Sequence, residues 1–157
     1  MAGTFGYELD VTKLTAEEKA EIKEQISTFH QFYDLIQYGD YYRLLSPEGG
    51  CSVWEFVSPN RSEALVSGTY NHVQSNASVL QVKVRGLEDG SLYRVEPCGA
   101  KAISMKIFPL LEQGMVISGA ALQNGGLPVP PAHQDYQCWQ YHITRCEGGQ
   151  DGKAVSD

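Results

Sequence analysis

No stretch of this chain gathers positive charge, none approaches the length of a membrane-spanning helix, and no two cysteines form a C-x-x-C pair. Each absence removes a class of function. The 12 Lys and Arg are outnumbered by 19 Asp and Glu, for a net charge of −7 and a pI near 5.0. They are scattered, so there is no basic stripe of the kind that a phosphate backbone or an anionic lipid surface requires. Neither nucleic acid nor a membrane is therefore an expected partner. The apolar runs fall far short of the ~18 residues of a helical span, and no basic n-region precedes an apolar h-region near the N-terminus.

Cys51, Cys98, Cys138 and Cys146 are too few and too widely spaced to frame a small disulfide-stapled domain. They read as buried free thiols. Two sequons, Asn60-Arg61-Ser62 and Asn76-Ala77-Ser78, matter only in a eukaryotic secretory pathway, and such tripeptides arise often by chance.

What is present is a core. Of the 157 residues 42% are hydrophobic, enough for a chain of this length to bury roughly two-thirds of its unfolded surface. The chain opens on GTFGYELD, residues 3–10, which is apolar and aromatic in the manner of a buried strand. Thr15 and Glu18 then have the spacing of a capping box, and Ile22, Ile26, Phe29, Tyr33 and Ile36 recur at 4-3-4-3 spacing, so a helix is expected from Thr15 to Tyr38 with one apolar face and Gly39 as its stop.

Beyond Gly39 the period changes to two. Leu80, Val82 and Val84 alternate with polar residues, Glu88-Asp89-Gly90 supplies a turn, and Tyr93 and Val95 alternate again, which predicts a hairpin. CSVWEFVS and EALVSGTY flank Ser58-Pro59-Asn60-Arg61 and predict a second hairpin. Trp139, Tyr141 and Ile143 form the inward side of a late strand. Short strands separated by Gly, Pro and Asn describe an antiparallel sandwich. The last residues, 147–157, lack apolar content and are expected to form a disordered tail.

Several residues invite a functional reading, each with a plainer one beside it. Glu8 and Asp10 share a face if residues 3–10 are a strand, with Cα atoms roughly 7 Å apart, which suggests a carboxylate pair. Neighbours on one strand rarely flank a substrate bond, so loop hydrogen bonding or helix-entry capping is the expectation. His133, Cys138, His142 and Cys146 have metal-ligand identities, yet an extended strand separates Cys138 from Cys146 by roughly 26 Å, and zinc ligands must converge on one ion. Trp54 and Trp139 could be a sugar-stacking platform. Their phasing with Phe56 and with Tyr141 and Ile143 points to inward core faces.

One β-α unit followed by an all-β sandwich is an unusual order, and here the residues resemble a family. GTFGYELD, KLTAEEKAEIKEQI, LIQYGDYYRLLSP, SPNRSEALV, GLEDGSLYRVE, SGAALQNGGLPVPP and DYQCWQYHI resemble, in colinear order, the C-terminal end of the glycoside hydrolase family 36 α-galactosidases, the melibiases. The stretch from Pro97 to Met115 departs from that pattern.

The resemblance implies a mainly β fold: an antiparallel β-sandwich of Greek-key type preceded by one strand-helix unit like the last β/α unit of a (β/α)8 barrel. It implies three regions: 1–38 as that last barrel unit, 39–146 as the C-terminal sandwich, and 147–157 as the tail. The family's retaining hydrolysis uses two aspartates on earlier barrel strands, in motifs built around Lys-Trp-Asp and around a run of Ser and Asp. Neither motif occurs here. No catalytic, cofactor-binding or metal-binding residue is therefore assigned. The implied partner is the remainder of a parent enzyme, its barrel and N-terminal β-domain, which alone would bind the galactoside, with self-association through the helix face also expected. An independent carbohydrate-binding sandwich is the alternative.

Overall fold

The structure is a computed structural model, and it describes residues 3–73, 80–99, 114–132 and 134–147. The expected tail lies outside these residues apart from Glu147, as do the sequon at Asn76 and most of the stretch from Pro97 to Met115.

The first helix, α1 (Ala16–Gln31), begins where its capping box is: the Thr15 hydroxyl accepts from the Glu18 N–H, and the Glu18 carboxylate accepts from the Thr15 N–H at 2.8 Å. It does not run unbroken to residue 38. Phe32 leaves helical geometry (φ −102°, ψ 10°), and a second helix, α2 (Tyr33–Tyr38), follows it. The break redirects the chain so that Phe29, Phe32, Leu35 and Ile36 all reach one apolar cluster. Gly39 ends the helix as expected. The Leu35 and Val57 carbonyls approach it so closely that a Cβ would not fit.

The chain continues through β1 (Asp40–Leu45), a 3-10 turn (Pro47–Gly49), β2 (Cys51–Val57), β3 (Glu63–Tyr70), β4 (Gln81–Val82), β5 (Leu92–Pro97), β6 (Met115–Ser118), a short helix α3 (Gly119–Asn124), β7 (Leu127–Pro128) and β8 (Cys138–Arg145). Six strands form one antiparallel sheet in the order β1-β2-β3-β8-β5-β6, and β4 pairs with β7 in a separate ribbon.

Both faces of the large sheet are covered, which is why β2 and β3 are buried along nearly their whole length. Val53, Val57, Val66, Val95, Tyr141 and Ile143 pack toward the ribbon layer, against Val82, Val84, Leu122 and Leu127. Phe56 and Leu65 point the other way, to the helices. Burying each such side chain is worth ~1.5–3 kcal/mol, so the ribbon layer and the helices each anchor the sheet.

Three expectations need correction. The hairpin between residues 80–85 and 92–96 does not form. Its Glu88–Gly90 turn is real, with the Ser91 N–H bonded to the Glu88 carbonyl at 3.2 Å, but it carries the chain from one layer to the other. β4 therefore pairs with β7, and β5 fills the place between β8 and β6. Leu80, expected in the core, is 36% exposed at the ribbon's start. Residues 3–10 form no strand; the segment is held instead by the Phe5 ring on Phe29. The other two readings stand: β2 and β3 are a hairpin about the Ser58–Arg61 turn, and β8 buries Trp139, Tyr141 and Ile143.

Candidate functional site

The first helix has two different faces, and each borders a cavity. Glu21, Glu24, Gln25 and Thr28, spaced i, i+3, i+4 and i+7, overhang the sheet and line a groove of about 240 Å3. Its floor is sheet: Trp54 from β2, Ser67 and Gly68 from β3, and Gln140 from β8, with Cys98 and Cys138 beside them. A second stripe, Ile22, Ile26 and Phe29, faces Phe5, Tyr7, Leu9 and Val11 across a cavity of about 360 Å3.

That second side gathers a cluster of exposed apolar side chains. Leu9 is 48% exposed and Val11 63%, and Tyr7, Ile26 and Tyr33 are also open to solvent. The leading segment is held by the stacking of Phe5 on Phe29, ring centroids 5.2 Å apart, and by the Gln37 amide donating to the Gly3 carbonyl at 2.9 Å.

Asp10 caps the turn before α1, accepting from the Thr12 hydroxyl at 2.6 Å and from the Thr12 N–H at 3.1 Å, with Lys13 at 3.5 Å. The Thr12 hydroxyl bond holds its carboxyl below the usual carboxylate range, with the Thr12 N–H adding to it. Glu8 is exposed nearby. The pair does not sit on a strand, so the geometry that suggested catalysis is not formed.

His133 lies outside the described residues. Cys138 is exposed, with its thiol donating to the Thr69 hydroxyl at 3.6 Å. His142 meets the Glu63 carboxylate at 2.7 Å and stands edge-on to the Phe32 ring, centroids 4.9 Å apart. Cys146 closes β8, its N–H donating to the Leu92 carbonyl. These groups are spread along the strand. The four cysteines are free, but they are not all buried as the sequence suggested: Cys51 is buried, Cys98 and Cys146 partly so, and Cys138 is open. Burial raises the Cys51 thiol to about 11 and the Cys98 thiol to about 12.

Trp139 is a core residue, 4% exposed, and its indole lies over Gly68, where a side chain would have no room. Trp54 is half-buried and faces the helix layer. The residue that the sequence reading missed is Glu55, fully buried between Val53 and Val57 on the ribbon side. Its phase with those valines was the available signal. Burial pushes its carboxyl up to about 8, opposed by a hydrogen bond from the Arg85 N–H and by the Arg85 charge.

Against known families, residues 51–143 match the glycosyl hydrolase family 36 C-terminal domain, and residues 1–39 match melibiase. The bifunctional α-galactosidase/sucrose kinase AgaSK of Mediterraneibacter gnavus is 36% identical over 145 residues, covering 92% of this chain and 14% of that protein. α-Galactosidase AgaA of Geobacillus stearothermophilus is 44% identical over 100 residues, 63% of this chain and 14% of that protein. The crystal structure of the same family 36 enzyme superposes with a TM-score of 0.76 at 34% identity, over 90% of this chain and 18% of that one. The chain thus spans about a seventh of the curated relatives it matches. With its antiparallel sheet and colinear match, the chain belongs to glycoside hydrolase family 36, as that family's C-terminal domain with the segment preceding it.

Proposed function

We propose that this chain is the non-catalytic closing portion of a larger α-galactosidase, and that its task is to dock onto the body of that enzyme. In this reading residues 1–38 are the last β/α unit of a (β/α)8 barrel, residues 39–146 are an accessory sandwich, and the two carboxylates that cleave the terminal α-galactoside lie elsewhere in the polypeptide. A retaining glycosidase needs those carboxyls held about 5 Å apart. A sandwich braced on the barrel's last helix would limit the movement of the strands carrying them.

The observation that carries the reading is a cluster of exposed apolar side chains. It lies on α1 and residues 5–11, inside the stretch that matches melibiase. Isolated globular proteins rarely leave so contiguous an apolar face uncovered.

Complementation tests this. A family 36 barrel fragment, such as that of the G. stearothermophilus enzyme ended before the matching segment, is mixed with this chain and assayed on a chromogenic α-galactoside. The chain alone is expected to be inactive, and the mixture to recover activity that Ile26→Asp abolishes. Turnover by the chain alone, lost on substituting Glu8 or Asp10, would overturn the proposal.

A further inference from the structure

A helix whose only task is to cover a sheet turns its apolar stripe inward. Over its first three turns α1 does the reverse: the stripe above the sheet is Glu21, Glu24, Gln25 and Thr28, and the space beneath it is the open groove of about 240 Å3. Only at Phe29, and then through α2, does the helical segment close onto the sheet. The groove therefore has a polar wall and a floor containing an aromatic ring, two thiols and an amide.

We propose that this groove binds one pyranose unit of a neutral oligosaccharide. A pyranose has an apolar C–H face and an edge of hydroxyls. Its size suits the cavity, and small-molecule sites characteristically combine apolar walls with a few placed polar groups. The C–H face would rest on Trp54, beside the polarizable Cys98 thiol.

The hydroxyls would donate to the Glu24 carboxylate, which has no ion-pair partner among the described residues, and exchange hydrogen bonds with Gln25 and Gln140. The Gln140 amide is already oriented. Its Nε2 donates at 3.1 Å to the hydroxyl of Ser67, a residue only 2% exposed, and its carbonyl oxygen stands beside Gly99 as the remaining acceptor. This site belongs to the chain itself, and it stands whether or not the docking role does.

Saturation-transfer NMR and titration calorimetry on the whole chain test it, with raffinose as the probe. Saturable binding is expected, weakened about tenfold by Gln140→Ala or Glu24→Ala, the loss of one hydrogen bond to the ligand, and retained in Trp54→Phe. Thermal melts accompany each variant. Should Gln140→Ala lower the melting temperature by loosening Ser67, Glu24→Ala on the exposed helix surface decides the matter. No saturable binding, binding unchanged in Glu24→Ala, or displacement of raffinose by spermidine would overturn the proposal. None of these results would alter the complementation assay, so the two readings fail separately.

Discussion

The Glu55 carboxyl, fully buried on the ribbon face of β2, accepts a 2.6 Å hydrogen bond from the backbone N–H of Arg85, thirty residues further along the chain. The bond ties the strand to the segment that crosses from ribbon to sheet. Its second oxygen has no partner among the described residues. Such a group favours the neutral acid, because ionising it in the core carries a desolvation penalty that one N–H donor does not offset.

This makes stability depend on pH in a definite direction. Glu55 rises from an ordinary 4.5 to about 8 in the folded chain, so between those values the folded state holds a proton that the unfolded state has lost. Stability contributed by Glu55 is complete below about 4.5 and is lost as pH rises toward 8, by about 1.4 kcal/mol per unit. Urea unfolding at pH 5, 6, 7 and 8 should show this slope in the parent chain and a much smaller one in Glu55→Gln. Equal slopes in the two proteins would show that another group is responsible.

Gly68 pairs with Trp139 across β3 and β8, and the indole occupies the volume a Cβ would need. Gly68→Ala must push a wholly packed ring off its place, and overpacking of this kind costs roughly 1–3 kcal/mol. Chemical denaturation should record that loss. A variant as stable as the parent would mean that Trp139 has room to turn.

At the start of α1 the capping box is exposed and isolated, so its contribution can be measured cleanly. Thr15→Ala removes the acceptor of the Glu18 N–H and should cost about 1 kcal/mol. Hydrogen exchange should quicken in the first turn of α1. The groove-lining residues Gln25 and Thr28, about two to three turns on, should keep their protection.

How much of this was legible in the sequence depends on how local each signal was. The alternation of Trp139, Tyr141 and Ile143 fixed β8, and the Ser58–Arg61 turn fixed the β2–β3 hairpin, because neighbours in sequence are neighbours in the sheet. Leu80 to Val84 had the same alternation and gave the wrong partner, since pairing β4 with β7 joins residues more than forty positions apart. Glu55 is hidden in the sequence because Trp54 and Phe56, the larger apolar pair, read as the inward side. In a sheet covered on both faces, alternation has no outer side to mark. The groove was invisible for a related reason: the polar stripe of α1 reads as an ordinary solvated face until the break at Phe32 places it above the sheet.

One side of α1 is left partly uncovered. The sequence suggested that Ile22, Ile26, Phe29, Tyr33 and Ile36 form one stripe needing cover. Cover is supplied to only part of it: Phe29 and Ile36 are buried against the sheet, while Ile26 is 39% and Tyr33 43% exposed, next to the equally open Leu9 and Val11. Leaving such side chains wet forfeits on the order of 1 kcal/mol or more each at ~25 cal/mol per Å2, and two copies meeting through this face would recover much of it. The isolated chain is therefore expected to self-associate, with a molecular mass by light scattering that rises with concentration. Residues 3–10, which form no strand, should exchange amide hydrogens quickly at low concentration and more slowly in the associated form. Ile26→Asp should return the chain to a monomer without lowering its melting temperature, because Ile26 is not part of the buried core. A chain that stays monomeric at every concentration, with residues 3–10 already protected, would show that this face is satisfied within one molecule.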